Sequence, residues 1–316
     1  MFYFLLHQEA ERRVETVVRD AEPFRTNAFL IIDQMLELFD PGRDLHTLLV
    51  DEILHSIFFL GNIHVPPFSP QRILGEEMFN GLRETFPRPF KLYSSQVPKR
   101  SPFSCLLDMI VDLKGQENEQ EIIAMLQNFI SKIQQGRNSK PLVSSTICVS
   151  QSTDIRYYGV SMSTSGRIPG KIMVSASCFS SWDEYVAGAV ITYHPAKDKK
   201  TYFDGTIILP ETVRCQAFSL LRGGSIMPPC RSCENLFGLT TDDTQEWGYG
   251  NCAEAESVSN LFKKVQEVRE EARPTSTTCT PENRMKAEEA VKRDLKNLLK
   301  EKKFNWDNNF YTPERV

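Results

Sequence analysis

Any fold of this chain is constrained first by four residues. Cys230 and Cys233 lie in Pro228-Pro229-Cys230-Arg231-Ser232-Cys233, and Cys252 and Glu254 follow a polar spacer in Asn251-Cys252-Ala253-Glu254. Thiolates are favoured ligands of zinc, and a catalytic zinc keeps three protein ligands with the fourth position open. With Zn–S bonds of about 2.3 Å, three sulfurs sharing one ion must approach within about 4 Å of one another. The fold must therefore set two separate helix starts side by side.

Cys230 and Cys233 are three residues apart, so one helix start can aim both sulfurs at one ion. Pro229 suits such a start because its missing N–H is not needed there. Helix N-terminal amides also favour thiolate over thiol. Gly238, after Leu236-Phe237, terminates a short helix. Alone, C-x-x-C serves equally as a zinc knuckle or a redox dithiol. Asn251 is a favourable N-cap, which makes Cys252 the first and Glu254 the third residue of a second helix. Glu254 then has two readings. In an Asn-x-x-Glu capping box it reaches back to the Asn251 amide; beside a metal it moves protons to and from water. The nearby thiolates favour the second. A redox reading leaves Cys252 and Glu254 unexplained. A purely structural zinc wants a fourth ligand, and the nearest candidates, His194 and Cys215, lack ligand-like spacing.

Hydrophobic residues make up 41% and charged residues 25% of the 316, enough for a core beneath a charged surface. That length accommodates one large domain or two modest ones. The net charge of −4 argues against nucleic-acid binding by broad phosphate neutralisation, though not against a local basic stripe. Apolar stretches such as residues 53–60 fall short of the roughly 20 residues a membrane span needs. The apolar residues 1–6 lack a basic start and run into Gln8-Glu9-Ala10-Glu11, a poor secretory signal. Eight cysteines are too few for a disulfide scaffold at this length, so the expected setting is the reducing cytoplasm or nucleus. Cys105, Cys148, Cys178, Cys215 and Cys279 sit singly and read mostly as buried apolar fillers.

Residues 1–112 read as a helical domain, with helices over residues 9–20, 27–39 and 45–60. His46, His55 and His64 form no ligand-spaced set there, so this half reads as a packing or partner-binding unit. Residues 118–135 give a further helix. Residues 154–163, 171–178, 187–194 and 202–209 are rich in β-branched and aromatic residues and read as strands, with residues 195–200 as a hairpin tip. Residues 252–269 read as a helix, and a basic amphipathic helix follows Pro281. A helix, a run of strands and more helices predict a three-layer α/β domain over residues 113–316.

Zinc deaminases carry H-x-E, or its Cys variant, together with P-C-x-x-C. Asn251-Cys252-Ala253-Glu254 and Pro229-Cys230-Arg231-Ser232-Cys233 resemble those two motifs of the cytidine deaminases, over residues 115–275. The order is reversed, since in the family the Cys-Ala-Glu helix comes first. The resemblance implies a cytidine deaminase-like fold, with a mixed sheet between helices. It also implies zinc on Cys230, Cys233 and Cys252, and Glu254 as the acid–base residue of a hydrolytic deaminase acting on a nucleoside, nucleotide or exposed base. The expected partner is a small-molecule substrate, and a protein partner could occupy the amino-terminal helices. The rival reading is a catalytically silent, zinc-stabilised scaffold, which needs the thiolates but not Glu254.

Overall fold

The computed structural model of the chain describes residues 23–134 and 141–314. The helix read over residues 9–20 and the stop at Gly136-Arg137-Asn138 lie outside them. The described chain begins with α1 (Pro23–Leu38), α2 (Asp44–Asn62), α3 (Pro70–Leu74), α4 (Glu76–Thr85), α5 (Pro87–Leu92), α6 (Pro102–Lys114) and α7 (Glu119–Gln134). α6 shows the local logic: the Ser101 side chain accepts from the Ser104 amide, and Pro102 occupies the first helical position.

β1 (Thr146–Ser152) lies between β2 (Ile155–Val160) and β3 (Arg214–Ser219), and β4 (Ile226–Met227) adds to β3, giving the order β2-β1-β3-β4. Ile147 pairs with Val160 on one side and with Phe218 on the other. All pairs are antiparallel, where a mixed sheet was expected. The reason is topological. β2 and β3 run the same way but flank β1 on opposite sides, so they never pair with each other.

Alternation along β1 separates the two faces. Ile147 and Val149, with Tyr158 and Phe218, join a buried cluster containing Phe29, Ile57, Leu106 and Leu126 of the first helices. Cys148 faces the other way, onto Ala217 and onto Ala253 of α11 (Ala253–Phe262). Helices thus cover both faces of the sheet, an α/β layering whose first layer is the amino-terminal helices. The division read at residue 112 falls inside α6, and the same buried cluster holds residues from both sides of it.

Two segments read as strands are helices. Residues 171–178 belong to α8 (Arg167–Ser180) and residues 187–194 largely to α9 (Glu184–Tyr193). α8 buries Ile172, Met173 and Ala176 in one cluster and Val174 and Cys178 in another. α9 is apolar almost all round, so neither shows the single stripe that marks an amphipathic helix. Asp183, whose side chain accepts from the Tyr185 amide at 2.8 Å, caps α9 and was the available signal. Residues 202–209 form no strand. The Ile207 and Leu209 amides instead donate to Leu236 and Phe237 carbonyls at the end of α10 (Arg231–Phe237). Residues 195–200 are no hairpin tip; Lys200 Nζ reaches back 2.7 Å to the His194 carbonyl behind α9.

Residues 252–269 divide into α11 and α12 (Gln266–Glu271), and the basic helix α13 (Pro281–Glu301) buries Ala287, Val291, Leu295 and Leu299. Beyond it, Tyr311 stacks on His55 at 3.7 Å and donates its hydroxyl to Asp51, which ties the tail to α2. Among the described residues no helix is long and apolar enough to cross a membrane.

Candidate metal centre

α10 and α11 begin beside each other. Cys230 is the N-cap of α10 (φ −85°, ψ 168°) and Cys252 the N-cap of α11 (φ −78°, ψ 150°), and neither side chain makes a capping hydrogen bond. The expected register is thereby corrected by one residue: Asn251 is not the cap, and Glu254 is the second helical residue. An N-cap sulfur leaves the helix end beside unsatisfied amides, a setting that favours thiolate. The spacer achieves the approach by folding back along α10. The Arg231 amide donates to the Gln245 carbonyl at 3.1 Å, and Ser232 Oγ to the Trp247 carbonyl at 2.8 Å. The reversed motif order therefore still delivers Cys252 to Cys230.

The Cys230 sulfur lies 3.7 Å from that of Cys233 and 3.4 Å from that of Cys252, and all three lie within 4.8 Å of one another. Tetrahedral zinc with three bonds of about 2.3 Å separates its sulfurs by about 3.8 Å. The donor set fits. No fourth His, Cys, Asp or Glu joins the cluster among the described residues, which leaves one coordination position for water or substrate. His194 lies in the adjoining cavity, but its Nε2 is 2.9 Å from Ser175 Oγ, and burial pushes its pKa down to about 3. Cys215 sits instead 3.6 Å from Cys148.

The seat of α11 is built by β2, an edge strand whose outer groups would otherwise lack partners. The Val160 amide donates to Glu256 Oε2 at 2.8 Å, the Met162 amide to the Asn251 carbonyl at 2.8 Å, and Asn260 Nδ2 to the Tyr158 carbonyl at 2.9 Å. Glu256 also accepts from Ser104 of α6, joining the helical layer to the site. Gly159 permits this closeness: a Cβ there would stand 2.3 Å from the Ser257 nitrogen and 2.6 Å from the Ala253 oxygen. Gly250, at φ 86°, turns the chain into Asn251-Cys252, and a Cβ there would meet Val174 Cγ1 at 2.6 Å.

Contact with Cys233 and Cys252 pushes the Cys230 thiol down to about 2. The proximity of Cys230, together with burial, drives the Cys233 and Cys252 thiols well up. Full deprotonation of all three therefore calls for a cation among them. Glu254 is only 5% exposed, and burial, helped by the Cys230 charge, pushes its carboxyl up to about 7. The Asn251 amide donates to the Gly248 carbonyl at 3.0 Å, so the capping-box reading of Glu254 has lost its donor.

Cys230, Cys252 and Glu254 line a cavity of about 740 Å³, while Cys233 is buried beneath it. The cavity lining also includes Arg167, Lys171 and Trp247, which sequence reasoning did not single out. The available signals were the Gly166-Arg167-x-x-Gly170-Lys171 entry to α8 and the aromatic run Trp247-Gly248-Tyr249 just before Asn251. Comparison of the chain with protein-family models, curated proteins and solved structures finds no match.

Proposed function

We propose that the chain is a zinc-dependent hydrolytic deaminase acting on a nucleoside, nucleotide or exposed nucleobase. The supporting observation is a cluster of three sulfurs within 4.8 Å, two of which, from Cys230 and Cys252, line one cavity with a buried carboxylate, Glu254. Zinc on Cys230, Cys233 and Cys252 supplies a Lewis acid that makes water nucleophilic near neutral pH. Glu254 accepts a proton from the attacking water as its oxygen bonds to the ring carbon bearing the amine. It returns that proton to the ring nitrogen, then takes the remaining hydroxyl proton and passes it to the amine as the C–N bond breaks and the carbonyl forms. One water enters, one ammonia leaves and a carbonyl remains, so no oxidant or reductant is involved.

The test is ammonia release by zinc-loaded protein over nucleosides, nucleotides and bases, with Glu254→Gln alongside. General acid–base groups contribute about 10²–10⁴-fold, so the variant should lose at least a hundredfold while keeping its zinc. An equally active Glu254→Gln protein would sink the mechanism.

A further inference from the structure

We propose that the cavity takes its substrate as a nucleoside monophosphate, with the phosphate against Arg167 and Lys171 and the base toward Glu254. This rests on the deaminase reading for the orientation of the base. The anion site itself stands on the cavity's own charges.

The chain carries a net charge of −4, yet the cavity gathers Arg167, Lys171 and Lys197 on its walls against a single carboxylate, Glu254. Several arginines elsewhere are tied to acids: Arg214 to Glu119, Arg269 to Asp183, Arg284 to Glu288. Arg167 and Lys171 have no carboxylate partner among the described residues. They stand four residues apart on α8, hence on one face of it. Lys197 is fixed at the rim, its Nζ donating to the Glu246 carbonyl at 2.8 Å, where its charge stays unneutralised. A phosphate monoester carries about −1.5 to −2 charges near neutrality, and cations lining a cavity focus attraction on such a group.

The size and the remaining wall fit a whole nucleotide. Cavities for small ligands run about 300–1,000 Å³, and this one is about 740 Å³. Trp247 lines it yet is 56% exposed, an indole left at the rim where a heterocycle can stack. Beside it Tyr193 and Tyr249 stack on each other at 4.0 Å and 4°, which stiffens that wall. The local extent of the charge favours a mononucleotide over a polynucleotide, which needs a continuous basic track.

The experiment is calorimetric titration of the zinc-loaded full chain with CMP, AMP and GMP and with the matching nucleosides at fixed ionic strength. It includes Arg167→Ala/Lys171→Ala and a charge control, Lys292→Ala/Lys296→Ala, on the exposed face of α13. Melting and zinc content accompany each protein, and Lys171→Gln substitutes if the double variant fails to fold. At least one monophosphate should bind ten times tighter than its nucleoside or better, as expected when a charged hydrogen-bonding partner is gained. The α8 variant should erase that preference and the control should keep it. Equal binding of nucleotide and nucleoside, or a preference that survives in the α8 variant, overturns the proposal. Ammonia release measured in parallel separates the two readings. Phosphate-dependent binding without ammonia removes the deaminase and keeps the anion site. Deamination of nucleosides with no phosphate preference does the reverse.

Discussion

Gly159→Ala is the substitution through which the seat of α11 can be measured. The added methyl would stand 2.3 Å from the Ser257 nitrogen, 2.6 Å from the Ala253 oxygen and 2.8 Å from Glu256 Cβ, two of the three being backbone atoms that cannot rotate away. Restoring ordinary contact at 3.4 Å from 2.3 Å displaces α11 from β2 by about 1 Å. Overpacking of this kind costs about 1–3 kcal/mol, which at roughly 2–4 °C per kcal/mol lowers Tm by about 5 °C. The same displacement carries Cys252, the cap of α11, away from Cys230, whose sulfur it meets at 3.4 Å. It also stretches the Val160–Glu256 and Asn260–Tyr158 bonds that hold the helix against β2. Losing such outer support of a metal site costs about 10–100-fold in affinity. The assays are thermal melting and competitive zinc titration against a chromogenic chelator. A variant that melts with the wild type and holds zinc as tightly would refute the idea that β2 positions the ligands.

Three further outcomes are expected. His55 and His194 are buried and burial pushes both down to about 3. Since the unfolded chain protonates them near 6.5, stability is fully present above that pH and is lost as pH falls toward 3, by on the order of 4–5 kcal/mol per histidine. Asp51, raised by burial to about 6, and Glu254, raised to about 7, oppose this with smaller effects of the other sign. Tm should therefore fall from pH 7 to pH 4, and a flat or rising profile contradicts the burial argument. Cys148→Ala/Cys215→Ala should keep full zinc, because that pair lies outside the three-sulfur cluster; loss of metal there would reassign the ligands. A chain beginning at Gly115 should fail to melt cooperatively, since it bares the sheet face of Ile147, Val149 and Phe218. A cooperative melt with bound zinc would show that the amino-terminal layer is dispensable.

The candidate centre was legible because its chemistry is local. Two helix starts carrying thiols show in sequence as Pro-Cys-x-x-Cys and Asn-Cys-x-Glu, and the structure brings all three sulfurs together. What joins them was not legible, since it depends on backbone hydrogen bonds made by the spacer to α10 and by β2 to α11. Long-range pairing leaves little trace in composition. The strand readings at residues 171–178 and 187–194 failed for a related reason. Segments buried on two sides lose their polar face, and β-branched residues such as Val174, Val186 and Ile191 then look the same in helix and strand. β1 was passed over because its second face is small and polar, with Cys148 and Ser150 serving the approach of α11.

The central claim is that Cys230, Cys233 and Cys252 hold a zinc whose fourth position is open. Zinc K-edge X-ray absorption on the purified chain, with elemental analysis of the same sample, tests it most directly. The expected result is one zinc per chain with three sulfurs at about 2.3 Å and one oxygen or nitrogen at about 2.0–2.1 Å, and no zinc in Cys252→Ser. Four sulfurs in the first shell, or a wild-type chain without zinc, would contradict it.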